Sequence, residues 1–206
     1  MGRALLLVCL LAADAFAEPP RRWVYRAAAT DDSGKKGKPV KLVLVETGRR
    51  TLAGRDVLDL AVEVNGEPAS ADDIRELGFS SAPFTTLAPR WSLLTAKDGS
   101  VALVEGDEPL AEKDLKEALR GATTWKPRDA KRKRPKDEPG DRPFRYGKKV
   151  HKWPSICEGY LHPSPDTGDT FESERCYAPD VGVTLLSFDS VWGGFQIELT
   201  GPPPQP

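Results

Sequence analysis

Short apolar segments rich in β-branched residues recur along most of the chain, and turn-forming residues separate them. In one pair, Asp98-Gly99 lies between two apolar segments, which indicates a hairpin because both residues tolerate a positive φ. The pattern predicts a mainly β (α+β) fold whose core includes Trp23, Trp91 and Trp192. The predicted strands cover residues 23–26, 40–46, 56–64, 91–96, 101–105, 171–177, 181–188 and 194–200.

Two short helices are predicted between these strands. Ser70 has the character of an N-cap and precedes Ile74 and Leu77, which form a small apolar face. The second helix is expected to begin with Pro109 in its first turn, where a missing N–H has no cost, and to end at Gly121.

The N-terminus has the three parts of a secretory signal peptide. A cationic start is followed by the apolar stretch 4–12 and by the small-residue cleavage site Ala15-Phe16-Ala17. We therefore expect residues 1–17 to be removed near Ala17 and the protein to be secreted or periplasmic. No apolar run reaches the roughly 20 residues of a transmembrane helix, so no membrane span is predicted.

Export determines the expected chemistry of the cysteines. Cys9 leaves with the signal peptide, and the two remaining thiols, Cys157 and Cys176, are expected to form a disulfide in an oxidising compartment. The alternative is a zinc site formed by these cysteines with His151 and His162. Its irregular spacing matches none of the usual zinc-ligand patterns.

A strongly basic, proline-rich segment divides the β-type sequence. Residues 126–152 contain twelve cationic and four acidic side chains, although the whole chain carries a net charge of −1. The organisation predicted is a β-rich part 18–125, this basic loop or linker, C-terminal strands of the same domain at 153–200 and a proline-rich tail at 201–206. Candidate anion-binding residues are Lys131, Arg132, Lys133, Arg134, Lys136, Lys148 and Lys149.

Two interpretations of the basic segment stay open. It could bind an anionic envelope surface or lipid, or it could be a solvated linker that pairs loosely with the acidic remainder of the chain. Nucleic acid is disfavoured as a partner because the protein is expected to be exported and its overall charge is balanced. The sequence identifies no partner protein.

One acidic cluster is the candidate metal site. Asp166, Asp169, Glu172 and Glu174 surround Gly168, and such hard oxygen ligands could hold an extracellular calcium ion. Their spacing does not follow the calcium-loop pattern. No other cofactor is predicted, and no catalytic residue is assigned.

Two motifs carry a resemblance to a protein family. The chain has Trp23-x-Tyr25 soon after the signal peptide and Tyr177-Ala-Pro-x-Val-Gly182 near its end. In this it resembles uncharacterised exported β-rich proteins of Gram-negative bacteria, many of them lipoproteins. The resemblance implies a strongly curved antiparallel sheet and no assigned activity. The chain departs from the lipid-anchored members because it lacks a good lipobox.

These features together predict an exported, non-enzymatic binding or accessory protein of the cell envelope. One alternative is a small metal-dependent or hydrolytic enzyme that uses the acidic cluster and His162. Another is a carrier of an apolar ligand or lipid on the concave face of the sheet. Convergent histidines and carboxylates in a deep pocket would favour the enzyme, and an apolar cleft would favour the carrier.

Overall fold

The computed structural model describes most of the chain between residues 20 and 200. The described residues are 20–77, 80–81, 85–127, 143–146, 149–152, 156–163, 170–179, 181–190 and 193–200. Two helices are present, α1 at Ala71–Glu76 and α2 at Leu115–Gly121. The strands are β1 Arg22–Thr30, β2 Val40–Leu52, β3 Arg55–Val64, β4 Glu67–Pro68, β5 Ser80–Ser81, β6 Thr85–Thr86, β7 Arg90–Thr95, β8 Val101–Gly106, β9 Thr123–Trp125, β10 Pro143–Tyr146, β11 Lys149–Lys152, β12 Ile156–Pro163, β13 Thr170–Ala178, β14 Gly182–Asp189 and β15 Gly194–Leu199.

Ten strands form one antiparallel, barrel-like sheet that is nearly closed. Their order is β12-β13-β14-β15-β1-β2-β3-β7-β8-β9, and β4 pairs with β3 beside this path. The outermost strands β9 and β12 approach each other, although no backbone pairing joins them. We call this line the seam. The predicted mainly β fold with a curved antiparallel sheet is confirmed.

Alternation along the strands fills the inside of the barrel with apolar side chains. Tyr25 and Ala27 of β1 lie opposite Leu199 and Ile197 of β15, and all four belong to the interior cluster. Trp23 and Trp91 are buried there as predicted, whereas Trp192 lies outside the described residues. Further fully buried members are Leu42, Leu44, Leu60, Leu87, Trp125 and Phe188.

The two helices cover different faces of the sheet. Ser70 caps α1 through a reciprocal pair of hydrogen bonds with Asp73, and Ile74 of α1 enters the interior cluster near the end of β3. Leu115 of α2 packs instead against Val57 on the outer face of the sheet. Helix α1 therefore lies at the end of the barrel where β3 ends. The smaller of the two cavities described below lies at the opposite end. No helix in the described part of the chain is long and apolar enough to cross a bilayer.

Two predicted boundaries in the first half were wrong. Strand β2 continues through Gly48 to Leu52, because a bulge after Glu46 lets pairing with β3 resume. The second helix begins later than Pro109. Ala111 is still extended (φ −86°, ψ 151°), a 3-10 turn follows at Glu112–Asp114, and α2 starts only at Leu115.

Strands also occur where the sequence predicted irregular structure. The stretch after Pro154 contains β12, which the interruptions at Gly159 and Pro163 had concealed. The basic segment 126–152 ends in the hairpin β10–β11, where Phe144 and Tyr146 supply aromatic residues typical of strands. The described strands β13, β14 and β15 match the predicted C-terminal strands closely.

Candidate functional site

The two motifs at the ends of the chain meet inside the barrel. The indole Nε1–H of Trp23 donates to the backbone carbonyl of Val181 at 2.7 Å. The Tyr25 hydroxyl donates to the carbonyl of Val183, also at 2.7 Å. Burial raises the pKa of the Tyr25 phenol, so it stays protonated and remains a donor. The aromatic residues of β1 thus fasten the start of β14, across 158 residues of sequence.

Gly182 allows this contact to form. Its φ is +105°, a conformation that L side chains rarely adopt, and a Cβ at this position would lie 3.2 Å from Nε1 of Trp23. A larger residue would therefore be strained and would crowd the indole. The close contact with Trp23 of the N-terminal motif therefore explains why the C-terminal motif has a glycine at position 182.

A cavity of about 550 Å3 opens beside this junction, at the end of the barrel where β1, β3 and β14 begin. We call it the mouth cavity. Its apolar lining consists of Trp23, Val57, Leu58, Leu93, Tyr177 and Val181. Its charged lining consists of Arg21, Arg49, Arg50 and Asp56. Concave sites that combine apolar side chains with a few charged groups are typical of small-molecule binding.

The arginines at the mouth are held by carboxylates. Glu46 accepts from Nε of Arg21 at 2.8 Å and from Nε of Arg49 at 2.6 Å. Burial raises the pKa of the Glu46 carboxyl, but the hydrogen bonds from Arg49 and Arg21 lower it by more than burial raises it. The net pKa therefore lies below its usual value. The Arg21 guanidinium also lies 5.4 Å from the centre of the Trp23 ring, a cation–π distance.

Side chains close the seam between β9 and β12 from the inside. Arg175 of β13 forms an ion pair with Glu105 of β8 at 2.8 Å and donates to the Thr123 hydroxyl of β9 at 3.0 Å. Trp125 of β9 donates its Nε1–H to the carbonyl of Arg175 at 3.0 Å, and its ring stacks on Tyr177. Burial raises the pKa of Glu105, and the charge and hydrogen bond of Arg175 offset only part of this effect.

A second, larger cavity of about 850 Å3 lies where β1 and β14 end and β13 begins. Glu172, Glu174 and Asp189 line it together with Lys36. Glu172 and Glu174 of the predicted calcium cluster lie on β13, which covers the predicted strand 171–177. Asp166 and Asp169 lie outside the described residues, so the calcium site stays a prediction.

The disulfide predicted from the sequence is present. Cys157 and Cys176 lie directly opposite each other on β12 and β13 and are bonded. Among the described residues, the metal-ligating groups that come together are these two cysteines and Glu174. Both sulfur atoms are already committed to the disulfide. This pairing differs from the zinc site considered as an alternative.

Most of the candidate anion-binding residues lie outside the described part of the chain, namely Lys131, Arg132, Lys133, Arg134, Lys136 and Lys148. Lys149 begins β11. His151 lies on β11 and His162 on β12, and neither side chain is described. Their proposed chemistry stays a prediction.

Sequence reasoning missed the residues of the mouth and the seam. Arg21 precedes β1, Arg49 and Arg50 lie on β2, and Glu105 and Arg175 are 70 positions apart. One local signal was available: Arg49 and Arg50 follow a glycine in a segment that otherwise alternates like a strand. The convergence of the five residues depends on strand order, which no local pattern contains.

Comparison of the chain with protein-family models, with curated proteins and with solved structures finds no match. The resemblance to exported Gram-negative proteins therefore stays a prediction from two short motifs. The geometry of the site is the basis for a functional proposal.

Proposed function

We propose that the protein is an exported, non-enzymatic binding protein that takes a small apolar or amphipathic molecule into the mouth cavity. The observation that carries the proposal is an open cavity of about 550 Å3, lined by apolar and charged side chains together, at the end of a barrel whose interior is filled. Cavities of this size accommodate small organic molecules. The filled interior favours a compact ligand over a long chain inserted along the barrel axis.

Binding of phenylnaphthylamine, an uncharged apolar fluorophore, tests the proposal. Thr95 is exposed and lines the mouth cavity, so Thr95→Trp should fill it and weaken binding of the dye about tenfold. Thr47 is also an exposed strand threonine but does not line the cavity, and Thr47→Trp is the matched control. Equal affinities for the two variants would refute the proposed site.

Export is part of the proposal, supported by the signal-peptide pattern and by the disulfide. N-terminal sequencing of protein from the extracytoplasmic fraction should show a chain that begins at Glu18. A cytoplasmic protein that retains Met1 would contradict it.

The basic segment favours a second role, attachment to an anionic envelope surface. Its net charge of +8 is concentrated between β9 and β12. Binding to vesicles that contain acidic lipid should fall as salt rises, and it should disappear when residues 127–142 are deleted. Salt-insensitive binding, or binding that survives the deletion, would exclude this role.

A further inference from the structure

The hairpin β10–β11 forms a small sheet of its own. Cross-strand pairs join Pro143–Tyr146 to Lys149–Lys152, and in the described part of the chain neither strand pairs with the barrel. A two-stranded hairpin that packs against nothing else is only marginally stable in water. A surface that covered one of its faces would therefore stabilise it.

The register sorts the hairpin residues into two different faces. Residues that lie directly opposite each other share a face, and neighbours along one strand lie on opposite faces. One face, which we call the aromatic face, has Phe144, Tyr146, Lys149 and His151. The other face has Pro143, Arg145, Val150 and Lys152.

Both faces of the hairpin are cationic. Arg145, Lys149 and Lys152 lie on the two strands, and neither strand contains an acidic residue. Each face is therefore attracted to an anionic surface. Only the aromatic face adds aromatic residues, whose rings favour the boundary between headgroups and acyl chains of a bilayer.

This composition fits an anionic bilayer better than it fits a soluble polyanion. A soluble polyanion pairs with the cations and gains little from Phe144 or Tyr146. At a bilayer, lysine and arginine lie among the anionic headgroups while aromatic and aliphatic side chains reach the acyl boundary. Residues 127–142 precede the hairpin and contain seven cationic and four acidic residues, which adds to the attraction.

We propose that the hairpin β10–β11 lies with its aromatic face on a bilayer that contains anionic lipid. This inference rests on the second role proposed above and adds the element and the face that make the contact. The charge of residues 127–142 draws the protein to the surface, and the aromatic face then makes the contact. The barrel and its mouth cavity are thereby kept at the membrane.

Two matched pairs of substitutions on opposite faces test the inference with phosphatidylglycerol vesicles. Lys149→Gln and Lys152→Gln remove the same charge, and we expect losses of affinity of about fivefold and about twofold, because the attraction falls off with distance from the surface. Phe144→Ser should weaken binding about fivefold, whereas Val150→Ser, on the other face, should stay within about twofold.

Two further measurements show what the ring of Phe144 contacts. Immobilised dextran sulfate is a polyanion without an apolar interior, so Phe144→Ser should bind it within about twofold of the original protein. Thermal unfolding without vesicles should give the same midpoint for both proteins, because the hairpin does not pair with the barrel.

The outcomes separate this inference from the role on which it rests. If the original protein does not bind the vesicles, both fail. If it binds and the two members of either pair act alike, the second role stands and the inference is overturned. A loss for Phe144→Ser that is as large on dextran sulfate, or a lower unfolding midpoint, would also overturn it. The ring would then support the hairpin or pack against the protein instead of contacting lipid.

Discussion

Two hydrogen bonds from aromatic side chains of β1 join this strand to the start of β14, 158 residues later in the sequence. Trp23 and Tyr25 each donate a hydrogen bond to a backbone carbonyl at the start of β14, at residues that do not pair with β15. Both donors are buried, and so is the strand that they reach. A buried carbonyl that loses its donor has no water to replace it, so each bond matters more than an exposed one would.

Replacing Tyr25 by Phe removes one of these donors and nothing else. We expect the free energy of unfolding to fall by about 1–3 kcal/mol, because the buried carbonyl of Val183 loses this donor. Urea titration of the two proteins measures the change. A variant within about 0.5 kcal/mol of the original protein would show that this bond contributes little.

The ion pair at the seam makes stability depend on pH. Glu105 and Arg175 retain only 15% and 20% of their side-chain surface, and burial raises the pKa of Glu105. For an acid whose folded-state pKa is raised, the associated stability is fully present below the ordinary pKa and is lost as the pH rises through the folded value. Above that pH the Glu105 carboxyl is ionised, and the charge of Arg175 compensates for its burial.

Arg175→Met should therefore be costly at neutral pH and less so in acid. We expect a loss of about 3 kcal/mol at pH near 7, because an unpaired carboxylate is left buried, and a clearly smaller loss at pH near 4, where Glu105 is largely protonated. Urea unfolding at both pH values measures the two losses. Arg26→Met, at an exposed position, is the control, and equal losses at both pH values would contradict the explanation.

At the scale of elements, α1 and α2 have similar lengths and different roles. Ile74 of α1 is fully buried among interior residues, whereas Leu115 of α2 covers the outer face of β3, β7 and β8. The sequence alone predicts a short amphipathic helix in each place and does not distinguish their roles. The face that each helix covers follows from where the preceding strand ends.

Ile74→Ala tests the role of α1 at the barrel end. The cavity left behind should destabilise the protein by about 2–4 kcal/mol, as large-to-small changes in cores do. Glu76→Ala, on the exposed side of the same helix, should change stability by less than about 0.5 kcal/mol. Thermal and urea unfolding compare the two variants. Similar small effects for both would mean that α1 is not part of the cooperative core.

At the scale of the whole molecule, the main sheet is a nearly closed barrel, and in the described part of the chain no strand pairing closes its seam between β9 and β12. The chain between β9 and β12 carries the basic segment, so no short loop holds these two strands together. The disulfide lies next to the seam and fastens β12 to β13. Side-chain contacts of Arg175 and Trp125 join the two sides of the seam, where strand pairing does this elsewhere in the sheet, and the disulfide fixes β12 to the strand that carries Arg175.

Removing the disulfide by Cys157→Ser together with Cys176→Ser should lower stability by about 2–4 kcal/mol, because the unfolded chain gains freedom over a separation of 19 residues. Intact mass should show the original protein to be two hydrogens lighter than the reduced form. Unfolding in urea with and without a dithiol reductant measures the change. Identical unfolding curves would indicate that the cross-link does not restrict the unfolded chain.

The sequence was sufficient for the features that are encoded locally. Alternation, Asp98-Gly99 and the Ser70 cap identified most strands, one hairpin and α1. The pairing of the two thiols followed from the predicted export. It was insufficient where one local signal outweighed another. Gly48 suggested that β2 ends there, whereas a bulge lets the strand continue. The interruptions in residues 156–163 concealed β12.

Only the tertiary structure determined the candidate site. Arg49 meets Arg21 at Glu46, Glu105 meets Arg175, and Trp23 meets Gly182, because β1 lies between β2 and β15 while β8 and β13 face each other across the seam. Local sequence determines whether a segment is a strand and which side chains are buried, since these depend on near neighbours and on contact with water. Which strands become neighbours depends on contacts far apart in sequence, and the mouth cavity exists only once those contacts have formed.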